Sequence, residues 1–157
     1  MGNKALVTYL QDHLAGSAGA IEIPEALREE HTDETLGQFA ADILAEVQHD
    51  RATLEDVIER LGGGASVLKE TTAWLGANLG RFKLGRGLSE DLGAFEALEI
   101  VALGILGKKS LWDALKIVGA TDARLSGLDL ARLAERARTQ HARVEERRLE
   151  MARKVFG

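Results

Sequence analysis

Five ionisable residues of this 157-residue chain fall on or beside the apolar faces of predicted helices. They are two histidines and three carboxylates, namely His13, Glu46, Asp50, Glu99 and His141. Carboxylates can bridge two hard cations and imidazole can fill a terminal coordination position, so such a set can build a metal centre. A buried charge is costly unless it is paired, so the same side chains can instead form ion pairs between helices. A third interpretation is acid–base catalysis by a buried Glu or His with a shifted pKa.

Ion pairing has specific candidate partners in this sequence. Counting residues from the predicted helix midpoints places His13 and Asp50 at similar depth. The same count places Glu99 level with Arg148, which has Glu145 beside it. We therefore predict a His13–Asp50 pair and a Glu99–Arg148 pair. Buried pairs of this kind need not add stability, but they can fix the register between helices.

A metal centre of the usual di-iron or di-manganese type is not predicted, although one motif suggests it. The segment Glu46–His49 has the Glu-x-x-His spacing found in such centres. Its histidine, however, points away from the apolar face, and both residues must face inward to share a metal. Such centres carry a second Glu-x-x-His motif on another helix, but the last helix has Glu135-x-x-Arg138 instead. Arg148 on the apolar face of that helix would also repel a cation. A nonstandard site built from the five residues above stays open.

Helix start and stop signals divide the chain into five helices. With their capping residues first, the predicted helices run from Asn3 to about Glu30, from Thr32 or Asp33 to Leu61, from Ser66 to Phe82, from Ser89 to about Val118 and from Asp129 to about Phe156. Pro24 lacks an amide hydrogen, so we expect a kink or a break there. The glycine run 62–64 is expected to end the second helix. Lys108 and Lys109 are expected where the fourth helix reaches solvent, and Gln140 at the edge of the last apolar face.

Composition supports an all-α fold. The chain has 24 Leu and 23 Ala but seven aromatic residues, and Leu and Ala favour helices over strands. Four long helices and a shorter one fit an antiparallel four-helix bundle with an extra shorter crossover helix. The first two helices are joined by a short turn and must be antiparallel, whereas the crossover makes the fourth parallel to the second. This one-crossover order is ferritin-like, and residues 1–157 are predicted to form a single domain.

Charge and residue usage exclude several function classes. The net charge is −5, and the basic residues of 81–86 are too few for a nucleic-acid surface. The absence of Cys excludes thiolate metal sites and disulfides. No apolar run approaches the length of a membrane span and no signal peptide is evident, so we expect a soluble cytoplasmic protein of bacterial type. Assembly into a homo-oligomer is expected through a helix face, with Trp or Leu of the third helix at the interface.

Several segments resemble a known group of proteins. Tyr9–Gly16, Phe95–Glu99, Gly107–Trp112 and Gln140–Glu145 are together similar to segments of small, uncharacterised bacterial ferritin-like proteins. The resemblance spans most of the chain and implies a four-helix bundle with one crossover, but it carries no activity. The wider ferritin-like class implies a di-metal centre, from which this sequence departs in its last helix.

The sequence therefore predicts a non-catalytic ferritin-like bundle with buried polar or ionic pairs, in an accessory or assembly role and without a cofactor. The alternative is a metal-dependent oxidase or metal-handling protein. It would bind iron or manganese through His13, Glu46, Asp50, Glu99 and His141.

Overall fold

A computed structural model describes residues 2–31, 34–64 and 89–157. They form four long helices and a short 3₁₀ turn: α1 (Gly2–Glu30), α2 (Thr35–Arg60), α3 (Glu90–Gly119), the turn Ala123–Leu125, and α4 (Leu130–Phe156). These ranges contain no strand, which confirms the all-α prediction for this part of the chain. The predicted caps Thr32 and Asp33 lie outside the described residues. So does the predicted helix 66–82, together with the oligomer interface expected on it.

Local capping chemistry sets most of the described helix ends. The Ser89 hydroxyl accepts a hydrogen bond from the Leu92 amide at 3.1 Å, and the Asp129 carboxylate accepts one from the Arg132 amide at 3.0 Å. Both satisfy amides that lack a partner in the first helical turn, and both confirm predicted caps. Gly62 follows α2 with a φ of 81°, a left-handed conformation that glycine adopts without strain. The glycine run therefore ends α2 as predicted.

The predicted cap at the start of α1 is wrong. Asn3 does not cap this helix, because α1 already begins at Gly2 and the Asn3 side chain bonds to other parts of the fold. Of the two outcomes predicted at Pro24, the break is also wrong, since the helix continues to Glu30, whereas the kink stays a prediction. Proline removes one backbone hydrogen bond from a helix interior. The Pro24 ring is buried beside the core residues Ile23 and Leu27, and this burial offsets the loss.

Side-chain contacts at the bundle ends show the directions of the helices. The Asn3 amide group donates to the Leu61 carbonyl at 3.3 Å, just after α2 ends, and its oxygen accepts from Arg124 at 2.9 Å, just after α3 ends. The start of α1 thus lies beside the ends of α2 and α3, so α1 is antiparallel to both and these two are parallel. Lys154 near the end of α4 contacts Asp91 at the start of α3 at 2.8 Å, so α3 and α4 are antiparallel. The predicted parallel course of α2 and α3 is confirmed.

The inner face of α3 differs from the predicted one. Glu99 was expected on or beside the apolar face, but the Glu99 side chain is 53% exposed, and Leu106 on the same side of α3 is 41% exposed. The residues that α3 buries are Ala94, Ala97, Leu98, Val101, Ala102, Ile105, Leu111, Trp112 and Leu115. The segment from Ala94 to Leu106 is apolar almost all round, so periodicity alone did not define which side faces inward. The true inner face brings Lys108 toward the bundle interior.

None of the described helices combines the length and the apolarity that crossing a bilayer requires.

Candidate functional site

A polar cluster lies in the bundle interior where α2, α3 and α4 meet. The Lys108 ammonium donates to Asp50 Oδ2 at 2.5 Å and to Gln140 Oε1 at 2.5 Å. The Gln140 amide donates to the same Asp50 oxygen at 3.1 Å. Asp50 is 3% exposed and Gln140 1% exposed. One residue from each helix therefore closes a three-membered hydrogen-bonded ring, and this ring holds the three helices in register.

Further charges surround this ring on the α2–α4 side. Arg136 Nε lies 3.6 Å from Asp50 Oδ1, an oxygen that has no hydrogen-bond partner among the described residues. One turn away, Arg143 donates to Glu46 at 2.6 Å. Burial lowers the pKa of Lys108 below its ordinary value, and the neighbouring Asp50 carboxylate offsets part of this effect. Together the ring and its neighbours set three cations against two carboxylates, a local excess of one positive charge.

A cavity of about 360 Å³ lies beside the cluster, between α1, α2 and α3. This volume falls within the usual range for small-molecule sites. Most of its wall is apolar, from residues such as Val47, Leu54, Ile105 and Leu111. Asp50 and Lys108 also line it. Exposed residues at its edge, among them Asp12, Gly16 and Gly104, show that the cavity reaches the protein surface.

Trp112 lines this cavity and carries a buried donor. The residue is 1% exposed, and its indole Nε1 has no hydrogen-bond partner within the described ranges. Leaving a buried donor unpaired costs about 1–3 kcal/mol. Native proteins hold few such groups, and each calls for an explanation from its surroundings.

Three helical glycines also border the cavity. A methyl group added at Gly16 or Gly107 would meet no described atom within 4 Å, and one added at Gly104 would meet only the Ala20 methyl group at 3.9 Å. Close packing against the described helices therefore does not require glycine at these positions. Glycine in a helix interior costs roughly 0.5–1 kcal/mol relative to alanine. The chain thus has three less stable helical positions around one cavity.

His13 lines the same cavity but does not pair with Asp50 as predicted. Asp50 instead bonds to Lys108 and Gln140. The His13 ring packs edge-on against Tyr9, with the ring centroids 4.7 Å apart. Burial lowers the pKa of His13, and the charge of Asp12 opposes this only in part. His13 is therefore a neutral imidazole at neutral pH, available to the cavity as a weak polar group.

The five residues predicted as a site are distributed over separate contacts. His13 and Asp50 line the cavity, Glu46 pairs with Arg143, and Glu99 pairs with Arg148 at 3.1 Å. The last of these confirms that Glu99 pairs with Arg148, but the predicted burial of this pair is wrong. His141 is half-buried on α4. In the ranges that the structure describes, no three His, Asp or Glu side chains lie close enough to hold a metal ion. The metal site stays a prediction without geometric support from those ranges.

Sequence reasoning missed the two central partners of Asp50. Lys108 was expected at solvent, and Gln140 at the edge of its helix face. Both predictions are wrong, because the inner face of α3 runs through Ile105, Lys108 and Trp112, and Gln140 lies opposite it. The spacing of Lys108 three residues after Ile105 and four before Trp112 was the available signal.

The confirmed pair at Glu99 is expected to add little stability. Glu99→Gln should lower the free energy of unfolding by about 0.2–1 kcal/mol, because an exposed ion pair is screened by water. Arg148 also keeps its two hydrogen bonds to Glu145, at 2.8 and 2.9 Å, and these hold the pKa of that carboxyl below its ordinary value. Urea unfolding of the variant and the wild type measures the difference. A loss above 2 kcal/mol would show that Glu99 is part of the interior.

Comparisons of the chain with protein-family models, with curated proteins and with solved structures find no match. The functional conclusion therefore depends on the chemistry of the cluster and the cavity.

Proposed function

We propose that this chain is a non-catalytic, ferritin-like four-helix bundle that binds a small molecule in the cavity between α1, α2 and α3. The observation that carries this proposal is the cavity itself, which has a volume of about 360 Å³, reaches the protein surface, and has mostly apolar walls with Asp50 and Lys108 among its lining residues. A concave, mostly apolar space with a few polar groups is typical of small-molecule sites.

The glycines at the cavity give independent support. Gly104 and Gly107 lie within α3, where alanine would favour the helix. Neither is required by contact with the described helices. Proteins can keep function at the expense of stability, and weak helix formers around a cavity fit that trade-off. Here they leave room beside Lys108 and Trp112.

The polar cluster supports a binding role rather than catalysis. Lys108 donates to Asp50, which accepts, so the two are bound to each other and neither is held as a separate acid or base over the cavity. Their ring with Gln140 fixes three helices and keeps the cavity walls in place before any ligand arrives. A preformed cavity is usual for small-molecule sites. The ferritin-like assignment is supported by the parallel course of α2 and α3 and by the antiparallel course of α1 and α4 beside them.

Binding of three matched compounds tests this proposal. Naphthalene, 2-naphthamide and 2-naphthoate share one ring system and differ in polarity, so a general cavity should bind at least one of them. Calorimetric titration is expected to show one site per chain. Gly107→Leu should fill the cavity and weaken the best binder at least tenfold.

Gly93→Leu is the matched control for the cavity-filling variant. Gly93 lies on the same helix, also has open space around it, and does not line the cavity, so its substitution should leave binding unchanged. The proposal fails if none of the three compounds binds, or if Gly107→Leu binds them as well as the wild type does.

A further inference from the structure

We infer that a second copy of this chain binds to the outer face of α3, with the two α3 helices antiparallel. This outer face consists of six residues spaced alternately by three and four positions: Ile100, Leu103, Gly107, Ser110, Ala114 and Ile117. That spacing is typical of the seam between two packed helices. The inference goes beyond the cavity, and it places the expected contact between copies on α3 rather than on the predicted helix 66–82.

Large apolar side chains on the outer face are open to solvent. Ile117 is 77% exposed, Leu103 63% and Ile100 41%, and Leu106 beside them is also exposed. Together they expose on the order of 400 Å² of apolar surface, a patch size that is often functional on a soluble protein. The core uses the opposite side of α3, so these side chains do not belong to the core of this chain.

The order of residues along the outer face makes it complementary to itself. A two-fold axis through the middle of the face turns one α3 helix antiparallel to the other. This axis places Ile100 opposite Ile117 of the second copy, and it places Leu103 opposite Ala114. At the second of these pairs, a large side chain fills the space over a small one. Such symmetry is expected of a contact between identical copies, whereas an unrelated partner does not require it.

The middle of the outer face leaves room for a close approach. Gly107 and Ser110 lie opposite each other across the axis, and neither carries a large side chain. A methyl group added at Gly107 would meet no described atom within 4 Å. Ser110 is exposed, and its hydroxyl donates to the Leu106 carbonyl at 3.0 Å within the same helix. The two backbones therefore approach closely at the centre, while the larger residues pack at both ends.

The charges at the two ends of the outer face have opposite signs. Near its N-terminal end, Arg148 is set between Glu99 and Glu145, which leaves a carboxylate in excess. Near its C-terminal end, Asp113 is set between two lysines, which leaves a cation in excess. Antiparallel pairing brings the acidic end of one copy to the basic end of the other, whereas parallel pairing would place like charges together.

The area of the outer face fits a dimer of moderate affinity. Contact along all six positions would bury on the order of 1,000 Å² when both copies are counted, which is near the lower limit for a specific interface. Interfaces of this size are usually weak or transient, so we expect a dissociation constant of about 1–100 μM.

Sedimentation velocity over a range of chain concentrations tests the inference. The wild type, with a chain mass of 17.0 kDa, is expected to shift from monomer to dimer as its concentration rises. Leu103→Glu should raise the dissociation constant at least tenfold, because the dimer would bury an added charge in each copy. Ala45→Glu is the control, because Ala45 is exposed on α2 and its substitution should leave the dimer unchanged. Both positions are exposed, so circular dichroism should show full helix content in both variants.

A mixing experiment tests the antiparallel arrangement. Ala114→Arg should also weaken self-association, because it places a cation opposite Leu103 of the second copy. Mixed with Leu103→Glu, it should form a heterodimer at least fivefold tighter than either variant forms alone, since the introduced carboxylate and guanidinium lie opposite each other. Ala45→Arg is the matched control, and it should bind Leu103→Glu less tightly than Ala114→Arg does.

A chain that stays monomeric at all concentrations would overturn the inference, and residues 65–88 of the same chain would become the next candidate to cover the face. A dimer that Leu103→Glu leaves unchanged would also overturn it, because the contact would then lie elsewhere. If the mixture associates no more tightly than the separate variants, the antiparallel arrangement is wrong. None of these measurements uses a ligand, so their outcome is independent of the proposed function.

Discussion

Replacing Asp50 with leucine is expected to lower the free energy of unfolding by about 3–5 kcal/mol. Asp50 is buried and faces two cations, Lys108 at 2.5 Å and Arg136 at 3.6 Å. Its removal leaves the Lys108 charge in the interior with only the Gln140 oxygen as an acceptor. An uncompensated buried charge destabilises a fold far more than an intact pair stabilises it.

Lys108→Met should lower the free energy of unfolding less than Asp50→Leu does. Lys108→Met leaves Asp50 with its hydrogen bond from Gln140 and with the guanidinium of Arg136, so we expect a loss of about 1–3 kcal/mol. In the double variant, two apolar side chains replace both charges. The double variant is therefore expected to be more stable than Asp50→Leu alone, since the stranded charge is gone.

Urea unfolding of the wild type, both single variants and the double variant measures the coupling between the two side chains. Asp42→Leu is the matched control, because Asp42 is an exposed carboxylate on the same helix and its loss should change little. Strictly additive losses at Asp50 and Lys108 would contradict the cluster as described, because two side chains in direct contact must show an interaction free energy.

The ends of the described helices were predictable because they depend on a few neighbouring atoms. Ser89 and Asp129 each accept a hydrogen bond from an amide three residues ahead, and such caps are visible in the sequence. Gly62 likewise marks the end of α2 by its positive φ. Asparagine is also a residue type that often caps helices, yet the Asn3 side chain bonds to Leu61 and Arg124 instead. These are distant in sequence, and no local pattern could show them.

The depth of residues along the bundle was easier to predict than their rotation about a helix. Glu99 and Arg148 do meet, because the rise per residue is constant and counting from helix midpoints finds residues at one level. The pair lies near the surface, however. Apolar residues encircle α3, so its sequence did not determine which side of this helix faces inward. The same rotation brings Lys108 to Asp50. The packing of α3 against α1 and α4 decides which of its faces is buried. The sequence of a single helix does not show that packing.

The cavity was beyond sequence reasoning for a similar reason. Its walls come from three helices, and its volume depends on how closely their side chains approach each other. The glycines at positions 16, 104 and 107 were visible as weak helix formers. Only the packed structure shows that they line one space together with Lys108 and Trp112.

Replacing Trp112 with alanine is expected to cause the second large loss of stability. Trp112→Ala is expected to lower the free energy of unfolding by about 3–5 kcal/mol, because the side chain is 1% exposed and belongs to the core. Trp112→Phe should lose only about 1 kcal/mol. Phenylalanine retains most of the apolar contact, and it removes an indole N–H whose burial without a partner is itself destabilising. Urea unfolding of both ligand-free variants, compared with wild type, measures the two losses.

The contrast between these two variants shows whether the indole N–H contributes to the stability of the fold. If Trp112→Phe destabilises the protein nearly as much as Trp112→Ala, the N–H must be making a stabilising bond, which would contradict the unpartnered Nε1. If the phenylalanine variant stays close to wild type in stability, the tryptophan contributes through the apolar contacts of its rings. The second result is the expected one, because a buried donor without a partner costs free energy that phenylalanine avoids.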